Sequence, residues 1–215
     1  SKAIAPVVSG FDIDADSMNE NLFDFQRAIT KWAIKRGRAA IFADTGLGKT
    51  LMQTSWADEI CAHTGGDVLI FAPLCVAQQT VEEGRKFGIT INYCRSQDQV
   101  KTGINITNYE MMGEFDLSLF AGVVLDESSI IKNRDGKTRN MMIESCLSVP
   151  YKLSCTATPS PNDFMELGNQ AEFLGIMTMK EMLATYFIND AGDTGTWILK
   201  GHGRKKFWEW LATWS

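Results

Sequence analysis

The chain has 215 residues, 45% apolar and 22% charged, with a formal net charge of −5. That is enough for one α/β domain with a real core. The acidic balance excludes a protein coated in positive charge for nucleic acid, though not a local basic strip. No apolar run approaches the roughly eighteen residues of a membrane span, and "SKAIAPVVSG" at the N-terminus lacks the apolar stretch of a secretory signal.

In chain order, residues 20–36 place Leu22, Phe25, Ile29, Trp32 and Ala33 on one helical face, closed by Gly37. "AAIFA" (39–43) reads as a short buried strand, and "GKTLMQTSWADEICAH" as a helix. "DVLIFAP" (67–73) is a second buried strand stopped by Pro73, and residues 76–87 read as a helix. "GINITNY" (103–109), "GVVLDE" (122–127) and "YKLSCTATP" (151–159) are further strands. Continuous apolar strands alternating with helices predict an α/β fold around a mostly parallel sheet buried on both faces. From about Gly175 the texture changes. "MTMKEMLATYFIND" and "RKKFWEWLATWS" read as helices joined by a Gly-rich link over 192–203. Phe207, Trp210, Leu211 and Trp214 fall at helical spacing, which favours a packing stripe over an aromatic platform for nucleic acid.

Cys61, Cys75, Cys94, Cys146 and Cys155 form no CxxC pair, and there are only two histidines. That argues against zinc and suits reduced thiols in a cytoplasm. Basic residues gather at Lys31/Lys35/Arg36/Arg38, Lys132/Arg134/Lys137/Arg139 and Lys200/Arg204/Lys205/Lys206. Each cluster is open to two readings, a solvated face or a phosphate track.

The polar motifs sit just past the C-terminal ends of the strands, where open α/β sheets bind ligands. "ADTGLGKT" (43–50) joins a strand to a helix. Its turn, Thr45, Gly46, Leu47 and Gly48, offers backbone N–H groups to phosphate at a helix N-terminus. Lys49 can reach the β- and γ-phosphates of a nucleotide, and the Thr50 hydroxyl is a candidate Mg²⁺ ligand. The strict pattern would need glycine where this chain has Ala43. "VVLDESSIIKN" (123–133) ends an apolar run in two acids. Asp126 stands where a P-loop site needs a carboxylate for Mg²⁺, and Glu127 where an acid would activate water.

"GLGKT", "LDESSIIKN" and "LSCTATPSPN", in this order, resemble the first RecA-like domain of superfamily-two helicases, and most closely the Swi/Snf-like DNA translocases. "FDFQRAITKW", "LIFAPLCVAQQT" and "ITNYEMM" resemble further family motifs, so the resemblance spans about residues 20–175. It implies a RecA-like three-layer P-loop sandwich over 1–175, with a helical, aromatic-rich appendage over 176–215. It implies ATP and Mg²⁺ as cofactors, with Gln26 reading adenine and Thr45 to Thr50 holding phosphates. Ser129, Thr156 and Thr158 would couple hydrolysis to domain movement. Pro73, Thr107, Asn108 and Tyr109 would lie near nucleic acid, with double-stranded DNA favoured. Ser128 and Ser129 replace the family's usual Ala-His, so coupling is expected to differ. The tail resembles helicase-like ATPases of phages, which places the protein in a bacterial or phage-infected cytoplasm with no membrane partner.

The family motor has two such lobes, so a second RecA-like lobe is the expected partner. Alone, this lobe is expected to bind nucleotide weakly with little turnover. The rival readings are a small P-loop phosphotransferase and a non-catalytic interaction module.

Overall fold

A computed structural model describes residues 9–128, 136–157, 164–190 and 193–215. Helix α1 (Asp24–Arg36) ends at Gly37, whose φ of 73° lets its N–H reach back to the carbonyls of Ala33 and Ile34. The chain then enters β1 (Arg38–Phe42), α2 (Lys49–Thr64), β2 (Val68–Ala72), α3 (Leu74–Lys86), β3 (Ile91–Tyr93) and β4 (Ile104–Asn108). It continues through β5 (Gly122–Asp126), α4 (Gly136–Ser145), β6 (Tyr151–Thr156), α5 (Phe164–Phe173), α6 (Met179–Tyr186), β7 (Phe187–Asp190), β8 (Asp193–Leu199) and α7 (Arg204–Leu211).

Strands β1 to β6 form one sheet in the order β1-β6-β5-β2-β4-β3, with every pairing parallel. The α/β sandwich expected from the apolar strands is therefore present. Pleating divides the core in two. Ile41, Val68, Ile70, Val124 and Leu153 join Ile34, Met52, Trp56 and Ile60 on one face. Leu69, Phe71, Val123 and Leu125 join Phe173, Phe207 and Trp214 on the other. Gly122 makes room for the first group: a Cβ there would sit 3.2 Å from Val68 and 3.5 Å from the Trp56 indole.

The tail departs from the expected pair of linked helices. "FIND" is strand β7, and much of the expected link is strand β8, paired antiparallel to it. Trp197, Ile198 and Leu199 favour a strand, which outweighs the glycines earlier in the link. Phe207, Trp210 and Trp214 are buried, as a packing stripe requires. Phe207 meets Phe187 at 5.5 Å, Trp210 meets Trp214 at 5.3 Å, and Trp214 meets Phe42 of β1 edge-on at 6.2 Å. The Ala40 N–H, on the outer edge of β1, donates to the Trp214 carbonyl at 2.7 Å. Among the described residues no helix is long and apolar enough to cross a membrane.

Candidate nucleotide site at the carboxyl ends of the strands

Sheet order explains which motifs meet. Strand β6 lies between β1 and β5, so the residue at its tip emerges between the loop that follows β1 and the acids that end β5. Register makes this specific: Phe42 pairs with Thr156, and Asp126 with Cys155. Three distant stretches of sequence are thereby brought to one edge.

The loop before α2 turns on Gly46 (φ 87°) and Gly48 (φ 78°), a left-handed conformation that disfavours any side chain. At Gly48 a Cβ would also collide with the Gln26 amide. Ala43 is absent from the positive-φ residues, so the glycine missing from the strict pattern is not needed for the backbone here. The Thr45 N–H donates to the Asp44 carboxylate at 2.7 Å, and the Leu47 N–H to the Asp44 carbonyl at 3.2 Å. Gln26 is buried, with both ends of its amide engaged. Its Oε1 accepts from the Phe23 N–H at 2.9 Å, and its Nε2 donates to the Leu47 carbonyl at 2.9 Å. The glutamine thus ties α1 to the loop. Phe23 and Phe25, stacked at 6.3 Å and largely exposed, flank it. The signal for this pair was present in "FDFQ" but was absorbed into the helical pattern.

The acids differ in their surroundings. Asp126 is 6% exposed, and burial pushes its carboxyl above the usual carboxylate range, with the Glu127 charge adding to the shift. The Gln53 side chain, Lys49 and the Glu127 N–H pull the other way. A carboxylate that is expensive to ionise in place is one that a cation would relieve. The oxygens of Asp126 and Thr50 are hard donors of the kind Mg²⁺ takes. The fit to a nucleotide and Mg²⁺ is therefore good.

Glu127 is the one non-glycine residue with positive φ (53°) among the described residues. That left-handed geometry costs about 1–2 kcal/mol, and it turns the side chain off the strand axis toward the loop. Its Oε2 lies 3.7 Å from Lys49 Nζ, and its Oε1 accepts from the Thr156 hydroxyl at 3.1 Å. Ser128 is buried, and its Oγ has no hydrogen-bond partner among the described residues. Ser129 and Thr158 lie outside the described residues.

The residues expected near nucleic acid divide. Pro73 is half-buried at the start of α3, while Thr107, Asn108 and Tyr109 are buried. Tyr109 stacks on Phe71 at 5.9 Å, and its hydroxyl donates to the Asp126 carbonyl at 2.7 Å. It therefore braces the acid from below. Asn108 Oδ1 accepts from the Glu110 N–H, capping a turn. Burial removes the Thr107 and Tyr109 side chains from the surface. Sequence reasoning also missed Gln53, a buried amide on α2 next to Asp126, because a lone glutamine in a helix carries no pattern.

The basic clusters also separate. Lys35 pairs with Asp12 at 3.0 Å, Arg36 lies 5.8 Å over the Trp32 ring, and Arg38 donates to the carbonyls of Pro150 and Val149. That cluster is mostly spent on the fold. Arg139 reaches Asn169 at 3.2 Å. Lys132 and Arg134 lie outside the described residues.

A parallel sheet carrying a phosphate-type loop after β1 and an acid pair after β5 defines a RecA-like P-loop lobe. The sequence pattern of the SNF2-related domain matches residues 25–190, and the chain belongs to that family. The fold agrees. The SWI2/SNF2 ATPase core of Sulfolobus solfataricus, solved in complex with dsDNA, superposes with a TM-score of 0.67 at 22% identity, over 81% of this chain and 40% of that one. The UvsW helicase of bacteriophage T4 gives 0.59 at 15% identity, over 80% of this chain and 63% of that one. The Hef helicase domain of Pyrococcus furiosus gives 0.56 at 19%, over 71% and 36%. No curated protein sequence matches the chain. The chain thus spans less than two thirds of the length of each of these solved structures.

Proposed function

We propose that this chain is the ATP-binding lobe of a DNA-dependent ATPase that couples Mg-ATP hydrolysis to movement on DNA. The observation that carries this reading is the meeting of Lys49, Glu127 and Thr156 at one sheet edge. Lys49 Nζ lies 3.7 Å from Glu127 Oε2. With phosphate in the loop, the ammonium has a stronger partner and the carboxylate is released to orient water. Mg²⁺, held by Thr50 and Asp126, would supply charge neutralisation at the phosphate oxygens. Thr156 touches the acid directly, so a change in Glu127 is felt at the tip of β6. That gives the coupling role a physical path that does not need Ser129.

Membership of the SNF2-related family supports the DNA part, as does the fold shared with a core solved on dsDNA. A second RecA-like lobe is proposed to complete the site, because the matched structures are longer. The lobe alone should bind Mg-ATP weakly and turn it over little, since the second lobe's arginine can contribute about 10³–10⁵ in rate.

Titration with a fluorescent ATP analogue in Mg²⁺ tests the reading. Lys49→Ala should weaken binding by about 10- to 100-fold, as loss of a charge-assisted hydrogen bond to phosphate does, with the melting temperature little changed. Equal affinity in the two proteins would sink the nucleotide assignment.

A further inference from the structure

The family resemblance implies that Gln26 reads adenine, but its amide is already committed. A glutamine that reads adenine turns a donor and an acceptor together toward the base, the two-pronged pairing an amide makes with N6 and N7. Here the acceptor, Oε1, meets the Phe23 N–H, and the donor, Nε2, meets the Leu47 carbonyl. The side chain is 4% exposed, and Gly48 stands so close to Nε2 that a Cβ would collide with it. Turning the amide outward would break two hydrogen bonds of 2.9 Å and release the loop from α1.

The backbone that enters α1 is engaged as well. The Leu22 N–H donates to the Asn19 carbonyl at 3.2 Å, and the Leu22 carbonyl accepts from the Arg27 guanidinium at 3.2 Å. The Phe23 carbonyl accepts from the Arg27 N–H at 2.9 Å. Phe23 and Phe25, the exposed neighbours of this glutamine, bring aromatic faces, and an aromatic face takes any base.

The work that Gln26 visibly does is on the loop. Leu47 lies between Gly46 and Gly48, both left-handed. Its carbonyl is held by Gln26, and its N–H donates to the Asp44 carbonyl at 3.2 Å. The residue is pinned through both of its backbone polar groups. A phosphate loop binds by presenting N–H groups in fixed directions. A bond that fixes Leu47 therefore favours a triphosphate whatever base is attached to it.

We propose that Gln26 is a positioning residue for the phosphate loop and not a reader of the base, so that the site takes nucleoside triphosphates with little regard to the base. ATP, GTP and ITP enter alike. This substrate class deepens the nucleotide site proposed above and rests on it.

The test is displacement of the fluorescent ATP analogue, in Mg²⁺, by ATP, GTP, ITP and inorganic tripolyphosphate, on the whole chain. In the parent chain the three nucleotides should displace it at concentrations within about threefold of one another, the low end of what one neutral hydrogen bond is worth. Gln26→Ala should weaken all four competitors by one common factor of about 3- to 10-fold, the loss of one such bond. Tripolyphosphate carries no base, so an equal loss there separates loop positioning from base reading. A merely structural contribution would lower the melting temperature and leave tripolyphosphate affinity alone. A parent chain that favours ATP over GTP by about tenfold or more, beyond the loss of one neutral hydrogen bond, would overturn the proposal. If Gln26→Ala abolished that preference, Gln26 would be the reader; if not, another group would be. A Gln26→Ala chain with tripolyphosphate affinity unchanged would overturn it too. The parent comparison needs no substitution, so it decides even where Gln26→Ala does not fold. An ATP preference in a chain that binds ATP sinks this inference and leaves the nucleotide site standing. A chain that binds none of the four removes both.

Discussion

Lys49 and Lys152 stand at opposite ends of the same sheet, and their surroundings have little in common. Lys49 lies at the carboxyl end, partly exposed, with a carboxylate 3.7 Å away. Lys152 lies at the amino end and is 1% exposed; its amine donates to the Phe173 carbonyl at 3.1 Å and sits 5.7 Å over the Phe173 ring. Burial, with Arg38 nearby, lowers its pKa to about 8. The contrast extends to the neighbours. At the amino end Asn105 accepts from Asn92 and the Lys101 N–H and donates to the Lys101 carbonyl. At the carboxyl end of the same strand the buried Thr107 hydroxyl has no partner among the described residues, and neither does the Ser128 hydroxyl. One end is finished as structure. The other carries the left-handed backbone of Glu127, the Lys49–Glu127 charge pair and the buried carboxyl of Asp126.

Three substitutions would break or sharpen this contrast. The largest effect is expected from Glu127→Gln in a two-lobed protein containing this lobe. Turnover should fall by about 10²–10⁴-fold, the usual worth of a positioned general base, with ATP-analogue affinity kept. A smaller loss in a steady-state phosphate-release assay would move the water-activating role elsewhere.

Next is Lys152→Met. The folded-state pKa of about 8 lies below the ordinary lysine value of 10.5, so the unfolded chain holds this proton more tightly. Stability linked to Lys152 is therefore complete above about pH 10.5 and is lost as pH falls toward 8. Lys152→Met should stabilise the protein at pH 7 by an amount on the order of 2 kcal/mol. The difference in melting temperature between variant and parent should shrink from pH 8 to pH 10. A constant difference across that range would show that the buried amine is not the cause.

The smallest effect is expected from Glu127→Gly, which relieves the left-handed backbone. It should raise stability by about 1 kcal/mol in a denaturant titration while losing the turnover that Glu127→Gln loses. A destabilised variant would mean that the contacts to Lys49 and Thr156 outweigh the strain.

The amino-acid order made some of this legible and hid the rest, for physical reasons. "GLGKT" and "LDE" could be placed because each follows an apolar strand, and strand ends are where parallel sheets gather ligands. The core strands stood out because burial on both faces leaves uninterrupted apolar runs. Strand β3, only three residues long, is too short for a pattern. Strands β7 and β8 were masked by glycines and by a helix-like run of Met, Leu and Ala just before them. The motif position of Tyr109 gives no information on which way its ring turns, so packing and a nucleic-acid contact fit the sequence alike. Its hydroxyl under Asp126 depends on the neighbouring strands β2 and β5. The contact between Thr156 and Glu127 could not be read either, because it follows from sheet order.

The hydrogen bond from Ala40 to the Trp214 carbonyl has a practical side. Strand β1 is the outermost strand on its flank, and an unpaired strand is a seam to which another molecule's backbone can stitch itself. The last turn of the tail closes that seam beneath the loop that bears Lys49. A piece of this protein ended at Gly175 would leave the seam open and strip Phe42 of its indole cover. Light scattering of such a piece during storage should show growing particles, where the chain carried through to Ser215 stays dispersed.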